Sequence, residues 1–256
     1  MRISLIQSDI VWANKAENLR LFEQKISTLA GKSDLAVLPE MFTTGFCTNA
    51  LHLAETTHDE TVQKIQYWTS TYQLSIAGSF MVKENDQYFN RGFLALPDGT
   101  IHFYDKRHLF RMGNEHRFFT PGNTRLILPY LGWNICLQIC YDLRFPVWNR
   151  NLNNEYDLLI IAANWPTVRI HDWEVLLAAR AIENQAYVCG VNRIGRDGEG
   201  ITYSGQSLLL DARGNIIQQI EADKDAIYTT QINLQEVKKV RENFPVWKDA
   251  DNYRIQ

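Results

Sequence analysis

Three runs that read as strands end in a residue able to do chemistry. "DLAVLPE" ends in Glu40, "IHFYDK" in Lys106 and "ICLQIC" in Cys140. Side chains just past the carboxyl ends of strands leave the core yet stay anchored to it, and ligand sites of open α/β sheets lie there. A carboxylate, an ammonium and a thiol are a base, an oxyanion partner and a nucleophile, the minimum set for covalent attack on an amide. Each residue also has an ordinary reading: Glu40 as a charge at a helix N-terminus, Lys106 as a solvated cation, Cys140 as a packed thiol. The three together, not any one singly, point to acyl transfer.

The elements that must position them follow from periodicity. "ISLIQSDI" reads as a strand, and Leu19, Phe22, Ile26 and Leu29 fall at helical spacing before Gly31. "DLAVLPE" is a second strand. A capping-box pattern, Thr57 with Glu60, is expected to open a helix carrying Val62, Ile65, Trp68 and Tyr72 on one face. "SIAGSFMVK", "YFNRGFLALP" and "TIHFYDK" are strands joined by turns at Asn85-Asp86 and Asp98-Gly99. The second half repeats the rhythm, with strands "WNICLQICYD" and "DLLIIAANWP", the helix "WEVLLAARAIENQAY", and strands "YVCGVNRIG", "ITYSGQSLLLD" and "NIIQQIEA". Two sheets' worth of strands with few helices must cover four sheet faces, so an α/β fold is expected, a four-layer α-β-β-α sandwich.

The 256 residues are 45% apolar and 21% charged, with no linker-like or low-complexity tract, so residues 1–256 are read as one compact domain. A net charge of -3 without a basic run argues against nucleic acid, and no stretch reaches membrane-spanning length. "MRISLIQSDIVW" alternates from its third position where a secretory signal would need an unbroken apolar core, so a cytoplasmic protein is expected. Cys47, Cys136, Cys140 and Cys189 form no CxxC and have no His at metal-ligand spacing, so neither zinc nor a disulfide framework is expected. The aromatic ending "NFPVWKDADNYRIQ", about residues 243–256, is too apolar for a free end and is expected to dock on the body or a partner subunit.

"LPEMFTTGF", "YDKRHLF", "GNEHRFFTPG", "CYDLRFP", "ANWP" and "ARAIENQAYV" stand in order along most of the chain. Together they resemble the successive signatures of the nitrilase, or carbon-nitrogen hydrolase, superfamily. The resemblance implies the αββα sandwich, a two-fold paired homodimer or higher homo-oligomer, and a catalytic Glu, Lys, Cys set with a second Glu. Matched residue by residue, these are Glu40, Lys106, Cys140 and Glu115. No metal or cofactor is implied. "PEMFTTGF", "KRHLFRMGNEH", "CYDLRFPVWNRN" and "FPVWKDAD" further resemble the bacterial omega-amidases, which cleave the terminal amide of 2-oxo dicarboxylic monoamides such as 2-oxoglutaramate and 2-oxosuccinamate.

Glu40 is then expected to act as general base and acid, and Cys140 as nucleophile, with Lys106 and the Tyr141 N–H meeting the oxyanion. Glu115 would orient Lys106, Glu40 or the amide, or merely pair with Arg117 or another neighbour. Tyr141, Trp165 and Phe42 are the expected substrate contacts, with Met41 beside Phe42 at the entrance. Tyr141 and Asp142 could also brace the turn, and Trp165 could equally be core. Arg111, His116 and Arg144 are candidates for holding a substrate carboxylate. Arg180 and Glu183, at i and i+3, read as a structural ion pair. Three rivals remain: a nitrilase or N-carbamoyl amidase on the same fold, a Cys-His hydrolase with His108 or His116 as base, and a non-catalytic binding protein.

Overall fold

A computed structural model describes residues 1–251; the last five residues of the expected docking tail, 252–256, lie outside the described residues. The first half runs β1 (Arg2–Gln7), α1 (Lys15–Ser27), β2 (Leu35–Val37), α2 (Glu60–Tyr72), β3 (Ser75–Glu84), β4 (Gln87–Ala95) and β5 (Ile101–Asp105). Then come β6 (Leu126–Tyr130), β7 (Trp133–Ile139), a single turn α3 (Pro146–Asn149), β8 (Leu158–Ala163), α4 (Ile170–Asn184) and β9 (Tyr187–Asn192). The chain continues through β10 (Ile194–Arg196), β11 (Thr202–Ser204), β12 (Leu208–Leu210), β13 (Ile216–Gln219), β14 (Ala226–Gln231) and α5 (Leu234–Asn243).

Two six-stranded sheets carry the fold, in the orders β14-β1-β2-β3-β4-β5 and β13-β12-β9-β8-β7-β6, while β10 and β11 form a separate hairpin. Each large sheet has a parallel centre, β1-β2-β3 in one and β7-β8-β9 in the other, flanked by antiparallel strands.

Period-two alternation sorts the apolar residues into layers. Ile3 and Leu5 of β1, Leu35 and Val37 of β2, and Leu158 and Ile160 of β8 meet in one core between the sheets. Their strand neighbours Ile6 and Ala36 turn the other way, onto Leu19, Phe22 and Ile26 of α1 and Val62, Ile65 and Trp68 of α2. Leu159 and Ile161 turn onto Trp173, Leu177 and Ala181 of α4. The result is the α-β-β-α sandwich.

Asn14 caps α1 by accepting the Glu17 N–H at 3.2 Å. Two local expectations change. Thr57 does not cap α2: the helix starts at Glu60 behind Asp59, whose carboxylate accepts the Thr56 N–H at 2.7 Å, and Glu55 accepts the Thr61 N–H at 3.3 Å. Strands β6 and β14 stand where no strand is expected from the sequence. Both are edge strands, which is why β6 tolerates Pro129 and β14 carries exposed polar residues.

Of the tail, the Phe244 carbonyl accepts the Gln185 side chain at 2.7 Å, and just before it Arg241 reaches Tyr156 O at 2.7 Å and Asp157 at 2.8 Å. No helix among the described residues is long and apolar enough to cross a membrane.

Candidate active site

Strand ends converge where the sequence analysis places the chemistry. β2 stops at Val37, and Leu38 and Pro39 carry the chain to Glu40; the next residue, Met41, sits at φ +45° with its N–H on Ser79 Oγ at 2.9 Å. β5 hands over directly to Lys106, whose backbone is pinned by the Asn90 carbonyl and the Gly122 N–H, each at 3.0 Å. β7 hands over to Cys140, which opens a 3-10 turn, Cys140–Arg144, at φ +41°. A non-glycine residue in this left-handed region costs about 1–3 kcal/mol, held only because the surroundings over-determine it. The bend lifts the sulfur out of the sheet while β7 fixes its position.

Three of the four charged or nucleophilic groups form one tight cluster. The Lys106 Nζ lies 2.7 Å from Glu40 Oε1 and 3.0 Å from Glu115 Oε2, all three side chains fully buried. Asn90 Nδ2 ties the two carboxylates together, donating to Glu40 Oε1 at 2.8 Å and Glu115 Oε1 at 3.0 Å. The Phe110 N–H adds a third contact to Glu115 at 2.6 Å. Glu115 therefore pairs with Lys106; Arg117 is exposed. On the other side of Glu40, Asn164 follows β8 and donates its N–H to Oε2 at 2.9 Å. Its carbonyl accepts the Cys140 thiol at 3.8 Å, and Glu40, Lys106, Cys140 and Asn164 all line one pocket.

Electrostatics set the resting protonation. Burial alone would lower the Lys106 ammonium, but the charges of Glu115 and Glu40 outweigh it and raise its pKa. Burial raises the Glu115 carboxyl, with Lys106 opposing and Glu40 adding to the rise. Burial and then the Glu40 charge push the Cys140 thiol well above its usual range, with Lys106 pulling the other way. Two carboxylates already surround one ammonium, so a thiolate would add a second uncompensated charge to a dry site. The sulfur rests as a thiol and needs a base in the act of attack.

The turn after Cys140 is braced from behind. Asp142, fully buried, accepts the Ile139 N–H at 3.1 Å, the His108 N–H at 2.9 Å and the Tyr104 hydroxyl at 2.6 Å. Its Oδ1 also meets His108 Nδ1 at 2.9 Å, and the His108 ring stacks on Phe145 at 3.7 Å. Arg180 hydrogen-bonds the Leu143 carbonyl at 2.8 Å while pairing with Glu183 at 2.9 Å, so this helix pair also clamps the turn. His108 is committed to Asp142 and His116 is exposed outside the pocket, whereas Glu40 lines the same pocket as the sulfur.

The structure divides the other expected residues. Tyr141, Trp165 and Arg144 line the pocket, Arg144 lying over the Trp165 ring at 4.8 Å and pairing with Asp172 at 2.7 Å. Phe42 does not line it. Its side chain is fully buried between the first sheet and its helices, against Phe22, Phe93 and Trp68, because the bend at Met41 turns it away from Glu40. Met41 is likewise buried, packed with Cys47, Met81 and Phe119. Phe46 takes the wall position instead, its ring 5.3 Å from Lys106 Nζ. Arg111 is exposed and absent from the lining.

Sequence reading missed Asn90, Asn164, Phe46 and Arg169. The first two carry a signal that could have been used: an amide side chain within or just past an apolar strand, in "YFNRGF" and "LLIIAAN", needs a polar partner in the core. Among the described residues no three His, Cys, Asp or Glu side chains group where a metal ion could be held.

Comparison with known proteins agrees with this geometry. The sequence model of the carbon-nitrogen hydrolase family matches residues 2–242. The chain is 43% identical over 255 residues to omega-amidase YafV of Escherichia coli, covering 100% of this chain and 98% of that protein. It is 34% identical to the 2-oxoglutaramate amidase of Bacillus subtilis, with 96% of each covered. A carbon-nitrogen hydrolase superfamily protein of Xanthomonas campestris, solved with an arsenic adduct in its active site, superposes with a TM-score of 0.98 at 39% identity, covering 100% of this chain and 99% of that one. A sandwich of this topology, with a carboxylate, an ammonium and a thiol meeting at its strand ends, belongs by sequence and by fold to the carbon-nitrogen hydrolase family.

Proposed function

We propose that this chain is an omega-amidase, hydrolysing the terminal amide of 2-oxo dicarboxylic monoamides such as 2-oxoglutaramate and 2-oxosuccinamate to the 2-oxo acid and ammonia. The observation that carries the reading is the pocket itself: Cys140, Glu40 and Lys106 share one wall, while Arg144 and Arg169 bring cations to the same cavity. A substrate with an amide at one end and a carboxylate at the other matches that division of charge. The full-length identity to an omega-amidase and to a 2-oxoglutaramate amidase supports it.

The reaction runs in two halves. Glu40 takes the thiol proton as Cys140 Sγ bonds to the amide carbon, and the carbonyl π pair moves onto oxygen. That oxyanion meets the Lys106 ammonium and the Tyr141 N–H, which sits in the first turn of a 3-10 segment where N–H groups lack partners within the helix. Losing one such donor typically costs about 3 kcal/mol in the barrier. Glu40 returns its proton to the nitrogen, the C–N bond breaks, and ammonia leaves a thioester. Glu40 then deprotonates a water that attacks the thioester carbon, and the sulfur departs with the proton. Glu115 and Asn90 hold Lys106 and Glu40 in register throughout.

The same reading takes the whole chain as one catalytic domain in a reducing, cytoplasmic compartment, where its four free thiols are stable. It works as a homodimer or higher homo-oligomer: α4 leaves Val175 and Ile182 more than half exposed, and Phe244 stands out at 68%. Sedimentation of the purified protein tests the last point.

The deciding experiment mixes the protein with 2-oxoglutaramate, a nitrile and an N-carbamoyl amino acid, measuring ammonia and, by mass spectrometry, an acyl adduct on Cys140. Ammonia from 2-oxoglutaramate with an adduct at Cys140 is expected. Ammonia from only the other two compounds would replace the omega-amidase reading with a nitrilase or carbamoylase.

A further inference from the structure

The pocket that holds the catalytic cluster carries four other charged side chains: Arg144, Arg169, Asp197 and Glu199. Two of them are already answered. Arg144 is paired with Asp172 at 2.7 Å and spread over Trp165. Asp197 accepts the N–H groups of Glu199 and Ile201, each at 2.9 Å, and the Tyr203 hydroxyl at 2.8 Å. Glu199 is exposed on the loop of the β10-β11 hairpin. Arg169 differs from all three. Among the described residues no carboxylate stands within ion-pairing distance of it and no acceptor takes a hydrogen bond from its guanidinium. Asp172 feels its field, but that carboxyl is held low first by its hydrogen bond from Arg144.

Yet Arg169 is placed, not loose. Its carbonyl accepts the Trp165 indole N–H at 2.8 Å and its own N–H bonds the Pro166 carbonyl at 3.0 Å. Its guanidinium lies over the Phe110 ring, 5.4 Å from the centroid, and Phe110 in turn packs edge-on against Tyr141, the residue after the nucleophile, at 5.1 Å. One aromatic ring therefore separates this cation from the turn that presents the sulfur. A planar guanidinium held over an aromatic ring with its donors unspent is the group that binds a carboxylate through two parallel hydrogen bonds.

We infer that Arg169 reads the carboxylate end of the substrate and so sets the preference for amides carrying a distal anion. The inference rests on the omega-amidase reading and names the residue that enforces it. Arg144, already compensated, contributes less.

The test compares kcat/KM for 2-oxoglutaramate with that for pentanamide, a neutral amide of similar length, in the wild type, R169A and R169K. Arg169→Ala should lower the ratio of anionic to neutral kcat/KM by about 10- to 100-fold, most of it in KM. Arg169→Lys keeps the charge without the fork and should fall between. An unchanged ratio in both variants overturns the assignment. A ratio that falls through kcat alone does so too, since that marks a disturbed catalytic turn. Should R169A not fold, R169K decides by the same ratio, together with the inhibition constant of 2-oxoglutarate, which should rise in that variant and overturns the assignment if it does not. Wild-type enzyme that cleaves pentanamide but not 2-oxoglutaramate sinks the substrate reading instead. Succinamate and glutaramate, which have the distal carboxylate without the 2-oxo group, then decide Arg169 by the same ratio.

Discussion

The peptide groups of Asn164 touch both Glu40 and Cys140: its N–H donates to Glu40 Oε2 at 2.9 Å, and its carbonyl oxygen lies 3.8 Å from Cys140 Sγ. The side-chain amide adds a bond to the Glu40 carbonyl at 2.6 Å, so Glu40 is gripped by backbone and side chain of one residue. β8 runs parallel to β7, and that neighbourhood puts the residue after β8 beside the residue after β7. Glu40 and Cys140, 100 residues apart in sequence and proposed as base and nucleophile, are thus registered by a third strand end.

Asn164→Ala keeps the backbone contact and removes the side-chain grip on Glu40. Losing a hydrogen bond in a buried charged site costs about 1.5–3 kcal/mol, so kcat should fall about 10- to 100-fold with KM little changed. Asn164→Asp sets a second carboxylate beside Glu40 and should fall further, recovering partly as pH is lowered. Steady-state kinetics across pH separate the two variants; equal loss at every pH would mean that Asn164 only supports the fold.

The raised thiol makes a second expectation. Because burial and then the Glu40 charge hold the Cys140 proton, alkylation of substrate-free enzyme by iodoacetamide should accelerate only at pH above the range of an ordinary cysteine. Glu40→Gln removes one of the two causes, so the midpoint should move down in pH even though amide turnover is lost. A midpoint that stays in place or rises contradicts the protonation scheme. Mass spectrometry must show the label on Cys140, since Cys136 is buried with its thiol pushed up to about 12.

Much of this is legible in the chain because the signals are local. The unbroken apolar run in "DLLIIAAN" and helical spacing over Leu19, Phe22 and Ile26 mark the element types, and four sheet faces with few helices require stacked sheets. Glu40, Lys106 and Cys140 stand out because strand ends are where chemistry is displayed. What escapes depends on partners distant in sequence. Phe42 reads as an entrance residue until the φ of Met41 turns it inward, and a sign of φ leaves no mark on a side-chain pattern. Asn90 is silent until Glu40 and Glu115 arrive on either side of it. β6, interrupted by Pro129, and the largely polar second half of β14 are held as strands by the neighbours they pair with.

Glu115 tests the ammonium's support. Its raised pKa means that the folded chain holds this proton more tightly than the unfolded one. Its stabilising contribution is therefore complete below the ordinary carboxylate value of 4.5 and is lost as pH rises through the folded value. In catalysis the sign is opposite, because protonation strips Lys106 of a partner. Glu115→Gln behaves at every pH as wild type does once protonated: kcat should drop on the plateau, and the acid limb should shift to lower pH. A pH-rate profile reads both. Glu115→Ala, which leaves a buried ammonium half compensated, should cost about 3–5 kcal/mol in chemical denaturation.

His108 separates the carboxylate mechanism from a Cys-His one. Its ring nitrogen meets Asp142, and its contribution is to brace the turn. His108→Gln should keep kcat within about tenfold of wild type, the loss of a hydrogen bond worth near 1 kcal/mol. Loss of more than about three orders of magnitude, as when a triad base is removed, would hand the general-base role to His108.

Phe42 and Phe46 are four residues apart and should respond in opposite ways. Phe42 is sealed among Phe22, Trp68 and Phe93, so Phe42→Ala removes a large buried ring and leaves a cavity, at about 3–5 kcal/mol. For a chain of this size each kcal/mol lowers the melting temperature by about 2–4 °C, and KM should hold wherever the variant is folded. Phe46 faces the pocket over Lys106. Phe46→Ala opens the wall to water and strips the ammonium of its ring contact, so kcat/KM should fall while stability changes little. Thermal melts and kinetics on the two variants decide which aromatic belongs to the core and which to the site: a Phe42 variant with normal stability and altered KM would reverse the assignment.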